Sequence, residues 1–150
     1  MIAVIQRVSE SSVTVEGSVV GACGKGLMIL LGVAQGDEKK DAEALAAKIS
    51  KLRIFEDDNQ KMNLSIVDVG GEALVVSNFT LLANYAHGNR PDYMSAAKPA
   101  EADRLYGVFC DYLAGKIKSV EKGIFGADMA VEISNDGPVT IVMDSKILVK

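Results

Sequence analysis

Tryptophan is missing from the chain, histidine occurs once, cysteine twice and proline three times, and aromatic residues make up only 5% of its 150 positions. Each shortage excludes something. A single histidine, His87, rules out a multi-histidine metal site. Cys23 and Cys110 lie far apart without CxxC spacing, so neither a disulfide framework nor a zinc site is indicated, and a cytoplasmic location is expected. The longest strongly apolar run, Leu27 to Ala34, is far too short to span a bilayer. The opening Met-Ile-Ala-Val-Ile-Gln-Arg alternates like a strand and lacks the layout of a signal peptide, so no membrane partner is expected. Clustered basic charge is also lacking, and the formal charge is −4. Coating long stretches of phosphate backbone needs such clusters, so DNA is not an expected partner. Grasping the end of an RNA needs only a few phosphate contacts and stays open.

Two further patterns are lacking. No GxxxxGK[ST] occurs, and Gly21, Gly24 and Gly26 precede a strand instead of joining a strand to a helix. They read as turn glycines, and no cofactor or metal is expected. No Ser-His-Asp set, Cys-His pair or carboxylate pair stands out either. His87 sits in a polar, glycine-containing stretch with no Ser or Cys pairing to it, and reads as a solvated loop residue more readily than as a base.

What remains is aliphatic. Hydrophobic residues reach 49%, ample for one core, and the length suits a single domain spanning 1–150. Residues 2–8 and 12–16 alternate; a turn at Glu16-Gly17-Ser18 leads to a strand from Val19 to Cys23, and a second turn leads to a buried strand from Leu27 to Val33. Tight turns between strands make much of the sheet antiparallel. Asp37 is placed to cap a helix over 38–52, with Ala42, Leu45, Ala46, Ile49 and Leu52 on one face. Arg53-Ile54-Phe55 reads as a short strand, Glu72 to Ser77 as another, and 78–97 as a long connection of the kind that often carries function. Pro99 can open a second helix over 99–118, burying Ala102, Leu105, Tyr106, Phe109, Leu113 and Ile117. Strand-like stretches at Val120–Phe125, Met129–Ser134 and Val139–Met143 finish the chain, the last two joined by what composition reads as a hairpin at Asn135-Asp136-Gly137-Pro138.

Singly, Ser77-Asn78-Phe79-Thr80-Leu81 is ordinary strand-end chemistry and Asn135–Pro138 an ordinary turn. Taken in order with Gly88-Asn89-Arg90-Pro91 and Gly123-Ile124-Phe125-Gly126-Ala127-Asp128-Met129, and with Ala3-Val4-Ile5-Gln6-Arg7-Val8 at the start, they resemble the D-aminoacyl-tRNA deacylase family over essentially the whole chain. The resemblance implies an α/β fold: mixed, largely antiparallel sheets with two packed helices in a three-layer β/β/α sandwich. It implies hydrolysis of the ester joining a D-amino acid, or glycine, to the 3′ end of tRNA by a homodimer. Backbone N–H groups around Ser77, Asn78, Phe79 and Thr80 would stabilise the oxyanion, and the ribose 2′-hydroxyl would help activate water. Gly137 and Pro138, joined by a cis bond and entering the partner subunit's site, would exclude L-substrates. Arg7 would brace them and Met129 would line the pocket, although a strand-edge charge and a core methionine are equally ordinary readings. One position departs from the family pattern: Asn78 stands where Gln is usual, shorter by one methylene, which could make its contact water-mediated. His87 also replaces a frequent Lys. A non-catalytic RNA-end binding protein and an esterase or amidase of small D-amino-acid derivatives remain as alternatives.

Overall fold

The computed structural model describes residues 1–149, arranged in the order β1 (Ile2–Val15), β2 (Ser18–Cys23), β3 (Gly26–Gly32), α1 (Lys39–Ser50), β4 (Phe55–Glu56), β5 (Met62–Leu64), β6 (Glu72–Ser77), a 3-10 turn (Phe79–Leu82), α2 (Pro99–Ala114), β7 (Ser119–Lys122), β8 (Ala130–Asp144) and α3 (Ser145–Leu148). Six strands form one mixed sheet along β2-β1-β3-β6-β7, with β8 pairing the other side of β1. The pairs β1–β2, β1–β3 and β1–β8 are antiparallel, whereas β3–β6 and β6–β7 are parallel. The strands β4 and β5 make a separate small hairpin.

Layering follows from which side chains each strand buries. On β3 and β6, Leu27, Ile29, Leu31, Ala73 and Val75 face the helices and join Leu45, Ile49, Leu105 and Phe109 in the main core. Their alternating neighbours Met28, Leu74 and Val76 face the other way, into a second core with Val8, Val13 and Cys23. Strands with both faces covered read as continuous apolar runs, which is what Leu27–Val33 and Ala73–Val76 are. The second core is closed by β1, whose early residues Ala3 and Ile5 serve the main core while Val8 and Val13 serve the second. The change of side coincides with breaks in the β1–β8 register at Gln6/Val8 and Val8/Glu10. The sheet thus folds over itself, giving two β layers and one helical layer, the three-layer arrangement expected. Fully buried side chains such as Phe55, Phe109, Ile49 and Leu74 each contribute about 1.5–3 kcal/mol.

The helix faces match the sequence pattern: Ala42, Leu45, Ala46 and Ile49 on α1, and Ala102, Leu105, Tyr106, Phe109 and Leu113 on α2, are buried. Several boundaries differ. Asp37 does not cap α1; its carboxylate takes the Met1 α-ammonium at 2.8 Å and the Ala34 N–H at 2.7 Å, and Glu38 is the cap residue. Burial works against the charge on neighbouring Asp41, but the Glu38 N–H, the Ser145 hydroxyl and the Met1 ammonium outweigh it, and its pKa is lowered. The second helix stops at Ala114, and Ile117 is buried from the following turn. Only Phe55 of Arg53–Phe55 is in a strand, and the short partner β5 was not anticipated. Asn135–Pro138 is not a hairpin. The stretches on either side of it both pair with β1 in the same direction, so β8 is one strand with a bulge. No helix among the described residues is long and apolar enough to cross a membrane.

Candidate active site

The first cluster forms where β6 runs out of the sheet. Ser77 pairs with Leu31 as the last residue of β6, and the Asn78 N–H still donates to the Leu31 carbonyl at 2.8 Å. The chain then tightens into the 3-10 turn. Gly32 permits this: a Cβ there would lie 2.5 Å from Leu82 Cδ2 and 3.1 Å from the Asn78 carbonyl oxygen. Asn78 caps the turn, its Oδ1 accepting the Thr80 N–H at 3.3 Å and the Thr80 hydroxyl as well. This is the local bond an Asn makes to the backbone two residues on. The shorter amide therefore finds a partner within the chain. It also occupies the N–H of Thr80, one of the groups the resemblance implied for an oxyanion; Phe79 carries another. The Phe79 N–H opens the turn, where helical geometry supplies no carbonyl partner. The Phe79 ring is 55% exposed and meets Tyr93 edge-on, centroids 5.0 Å apart.

These residues line an open cleft of about 840 Å³. Its floor is Leu30, Val33 and Val76, and its walls come from Tyr93–Pro99 (93–94 and 96–99) and from Phe125–Met129. The hydroxyl of Tyr106, packed near Phe125, donates to the Val75 carbonyl at 2.7 Å. Burial first, then Cys110, raises the Tyr106 pKa, so this phenol stays protonated. Lys98 and Asp128 bring charge to the lining; Ser77, Asn78, Thr80, Tyr93 and Gln35 bring neutral polar groups. Sequence reasoning picked out Ser77, Asn78, Phe79, Thr80 and Met129 for this region, and the structure brings all five together. It missed Tyr93, Lys98 and Asp128. Signals were nonetheless present: Asp128 adjoins Met129 in the quoted motif, and Tyr93 lies in the long 78–97 connection, while nothing marked Lys98. His87 lies exposed in the 84–92 loop and does not line the cleft.

Arg7, Gly137 and Pro138 form a second cluster, none of them lining the cleft of their own chain. Gln6 pairs with Thr140 and Val8 with Asn135, so two steps along β1 match five along β8 and the surplus bulges outward. The guanidinium of Arg7 is buried beneath this bulge. Its Nη1 donates to the Ile54 carbonyl at 2.7 Å, and its Nε lies 3.2 Å from both the Asp136 carbonyl and its carboxylate. Above it the Gly137–Pro138 bond is cis, with Gly137 at φ +139. Both residues are exposed. A Cβ on Gly137 would meet Val139 N and Cγ2 at 2.7 Å. Arg7 and the loop thus lie together, away from the cleft of their own chain.

Fold and cleft define an α/β protein whose candidate site offers backbone donors and neutral polar groups at a strand end, flanked by apolar walls. A family model described as D-Tyr-tRNA(Tyr) deacylase matches residues 4–144. The chain is 57% identical over 144 residues to a D-aminoacyl-tRNA deacylase of Ruegeria pomeroyi, covering 96% of this chain and 99% of the relative. It is 56% identical over 146 residues to one of Caldicellulosiruptor saccharolyticus, covering 97% and 98%. Among solved structures it resembles a c-Myc DNA unwinding element binding protein, with a TM-score of 0.91 at 41% identity, covering 96% of this chain and 98% of that one. A structure described as a probable eukaryotic D-amino acid tRNA deacylase shares the fold, with a TM-score of 0.80 at 14% identity over 95% and 98%. The chain belongs to the D-aminoacyl-tRNA deacylase family, hydrolases that act on the ester bond of aminoacyl-tRNA.

Proposed function

We propose that this protein hydrolyses D-aminoacyl-tRNA and glycyl-tRNA in the cytoplasm and spares L-aminoacyl-tRNA, working as a symmetric homodimer. The observation that carries the reading is the division of the site. The Ser77–Thr80 turn sits on its own cleft, whereas the Gly137–Pro138 loop stands exposed on edge strand β8 and does not line that cleft. A second copy would supply the missing half. The fifteen-residue β8 is largely exposed, with Val142 at 68% and Ile133 at 36%, and a long uncovered edge is a liability that association removes.

The chemistry asks little of side chains. Water adds to the ester carbonyl carbon, the bond to the ribose oxygen breaks, and that oxygen leaves with the proton. Negative charge developing on the carbonyl oxygen would meet the Phe79 N–H, and the Thr80 N–H once it exchanges Asn78 for the substrate. The neighbouring 2′-hydroxyl of the substrate would help activate the water, taking a proton from it while passing its own to the leaving ribose oxygen. Since an aminoacyl ester is already labile, positioning supplies much of the acceleration. Selection is by collision: with the substrate amine held by backbone carbonyls of the loop, an L-side chain points into rigid backbone, a D-side chain points away, and glycine has nothing to collide. Rejection of this kind discriminates more than added contacts do.

Deacylation of D-tyrosyl-, L-tyrosyl- and glycyl-tRNA, run beside D-tyrosine ethyl ester, tests this. D-tyrosyl- and glycyl-tRNA should be cleaved, L-tyrosyl-tRNA spared, and the free ester should turn over poorly. Equal cleavage of both enantiomers removes the selection mechanism. A free ester cleaved as fast as the tRNA makes the protein a small-molecule esterase, and binding without turnover makes it an RNA-end binding protein. Sedimentation showing only monomer at micromolar concentration, with activity intact, removes the shared site.

A further inference from the structure

We infer that Asn135 is a positioning residue for the Gly137–Pro138 loop, setting how far it projects and thereby how strictly enantiomers are told apart; this rests on the selection role proposed for that loop. Two carbonyls face the mouth of the bulge, that of Arg7 on β1 and that of Val139 on β8. One side chain satisfies both: Asn135 Nδ2 donates to the Arg7 oxygen at 3.1 Å and to the Val139 oxygen at 2.9 Å. A carboxamide carries two N–H donors on one nitrogen, and here each holds one lip of the opening. The residue is half-buried, so water competes for these bonds less than at a fully exposed position.

Arg7 and Asn135 constrain the loop differently. Arg7 pins its base from below through Asp136. Nothing in that contact fixes the far end, where the chain rejoins the ladder at Thr140. The Asn135–Val139 bond does so, because it ties the residue before the loop to the residue after it. With both ends tied, Asp136, Gly137 and Pro138 must project together. Without the amide, the three residues are free to flatten against β1 or splay outward. Either change alters how far the loop backbone would reach into a facing cleft.

The residue type is specific. Asp has the same shape but no donor at neutral pH, and would set a carboxylate against two carbonyl oxygens. Ala leaves both unsatisfied. The test measures kcat/KM for D- and L-tyrosyl-tRNA in Asn135→Ala, Asn135→Asp and Gly137→Ala, with amide hydrogen exchange over residues 136–140 in each folded variant. Asn135→Ala should lower the D/L ratio about tenfold or more, a change in differential barrier of about 1.4 kcal/mol. It should do so mainly by raising L-cleavage, while exchange in the loop quickens. A purely structural defect would lower both rates in parallel and leave the ratio alone. Asn135→Asp, which keeps the volume, should show the same loss at neutral pH and regain part of the ratio when acidified far enough to protonate the introduced carboxyl. A ratio within twofold of wild type in both Asn135 variants, with Gly137→Ala still lowering it, overturns the role of Asn135 alone. An unchanged ratio in Gly137→Ala overturns the selection role of the loop, and that of Asn135 with it.

Discussion

The turn at Ser77–Thr80 and the bulge at Asn135–Val139 are both short irregular segments attached to strands, yet they are held by opposite means. The turn grows from β6, whose Ala73–Val76 are buried on both faces, and inherits its position from two hydrophobic cores. The bulge grows from an exposed edge strand, and of its residues only Val139 packs against a core. Its position comes from polar contacts: Arg7 below and Asn135 across its mouth. A segment placed by packing moves little when one side chain changes, while a segment placed by a few hydrogen bonds can be shifted by losing one. On the proposed reading, chemistry that uses backbone donors sits on the first kind and enantiomer selection on the second.

Proline and alanine at position 80 should produce the largest effect and the clearest break. Thr80→Pro removes an N–H, and turnover of D-tyrosyl-tRNA should fall about a hundredfold or more, about 2.7 kcal/mol. Thr80→Ala should stay within about tenfold of wild type, because the hydroxyl is engaged with Asn78 and not with a base. Circular dichroism must show both variants folded. Abolished turnover in Thr80→Ala would make the hydroxyl a nucleophile and move the chemistry from backbone to side chain. Next is Arg7→Ala, which leaves the buried Ile54 carbonyl without its donor. Urea unfolding should show a loss of about 3 kcal/mol, with a lower D/L ratio in the same variant. A stable variant with the ratio intact would mean the bulge is placed by something other than its polar brace.

Asn78→Gln should matter less. The longer amide cannot make the same local bond to Thr80, which frees that N–H, and activity should stay within about fivefold of wild type or rise. A hundredfold loss in folded protein would mean that the turn depends on its cap more than on β6. Smallest is an alkaline effect on stability. Burial, and then Glu72, lifts the Cys23 thiol from 9.0 to about 11, and burial lifts Cys110 from 9.0 to about 12. Raised folded values mean that the unfolded chain releases these protons first. The contribution is complete below pH 9 and is lost as pH rises through 11 to 12. Denaturation midpoints should begin to fall above about pH 9, and a flat profile to pH 11 would contradict the burial of both thiols.

Much of this was legible in the sequence because short-range periodicity and local burial coincide. The apolar spacing of α2 named its buried face, and Glu72–Ser77 emerged with the bounds the structure gives. What could not be read depends on distant partners. Asn-Asp-Gly-Pro has one composition whether it turns a hairpin or swells a bulge, and β1, more than a hundred residues away in sequence, decides which. Asp37 had every local mark of a helix cap, but the Met1 ammonium and Ala34 drew its carboxylate elsewhere. Tyr93, Lys98 and Asp128 reach the cleft only because the segments after β6 and β7 converge there. The family resemblance carried the turn and loop residues; the geometry added Asn135 and Asp136 as the parts that hold the loop in place.

The two buried cysteines have a practical side. Cys23 and Cys110 are both free and both covered, with thiols pushed well above neutral pH, and thiolates are what electrophilic reagents attack. The folded protein is therefore a quiet background for maleimide chemistry. One cysteine placed on the exposed face of β8 would take up a fluorophore or spin label nearly alone, with no need to delete the native pair and disturb the cores they help fill. Distances between such labels on two copies would report directly whether, and how, the edges meet in solution.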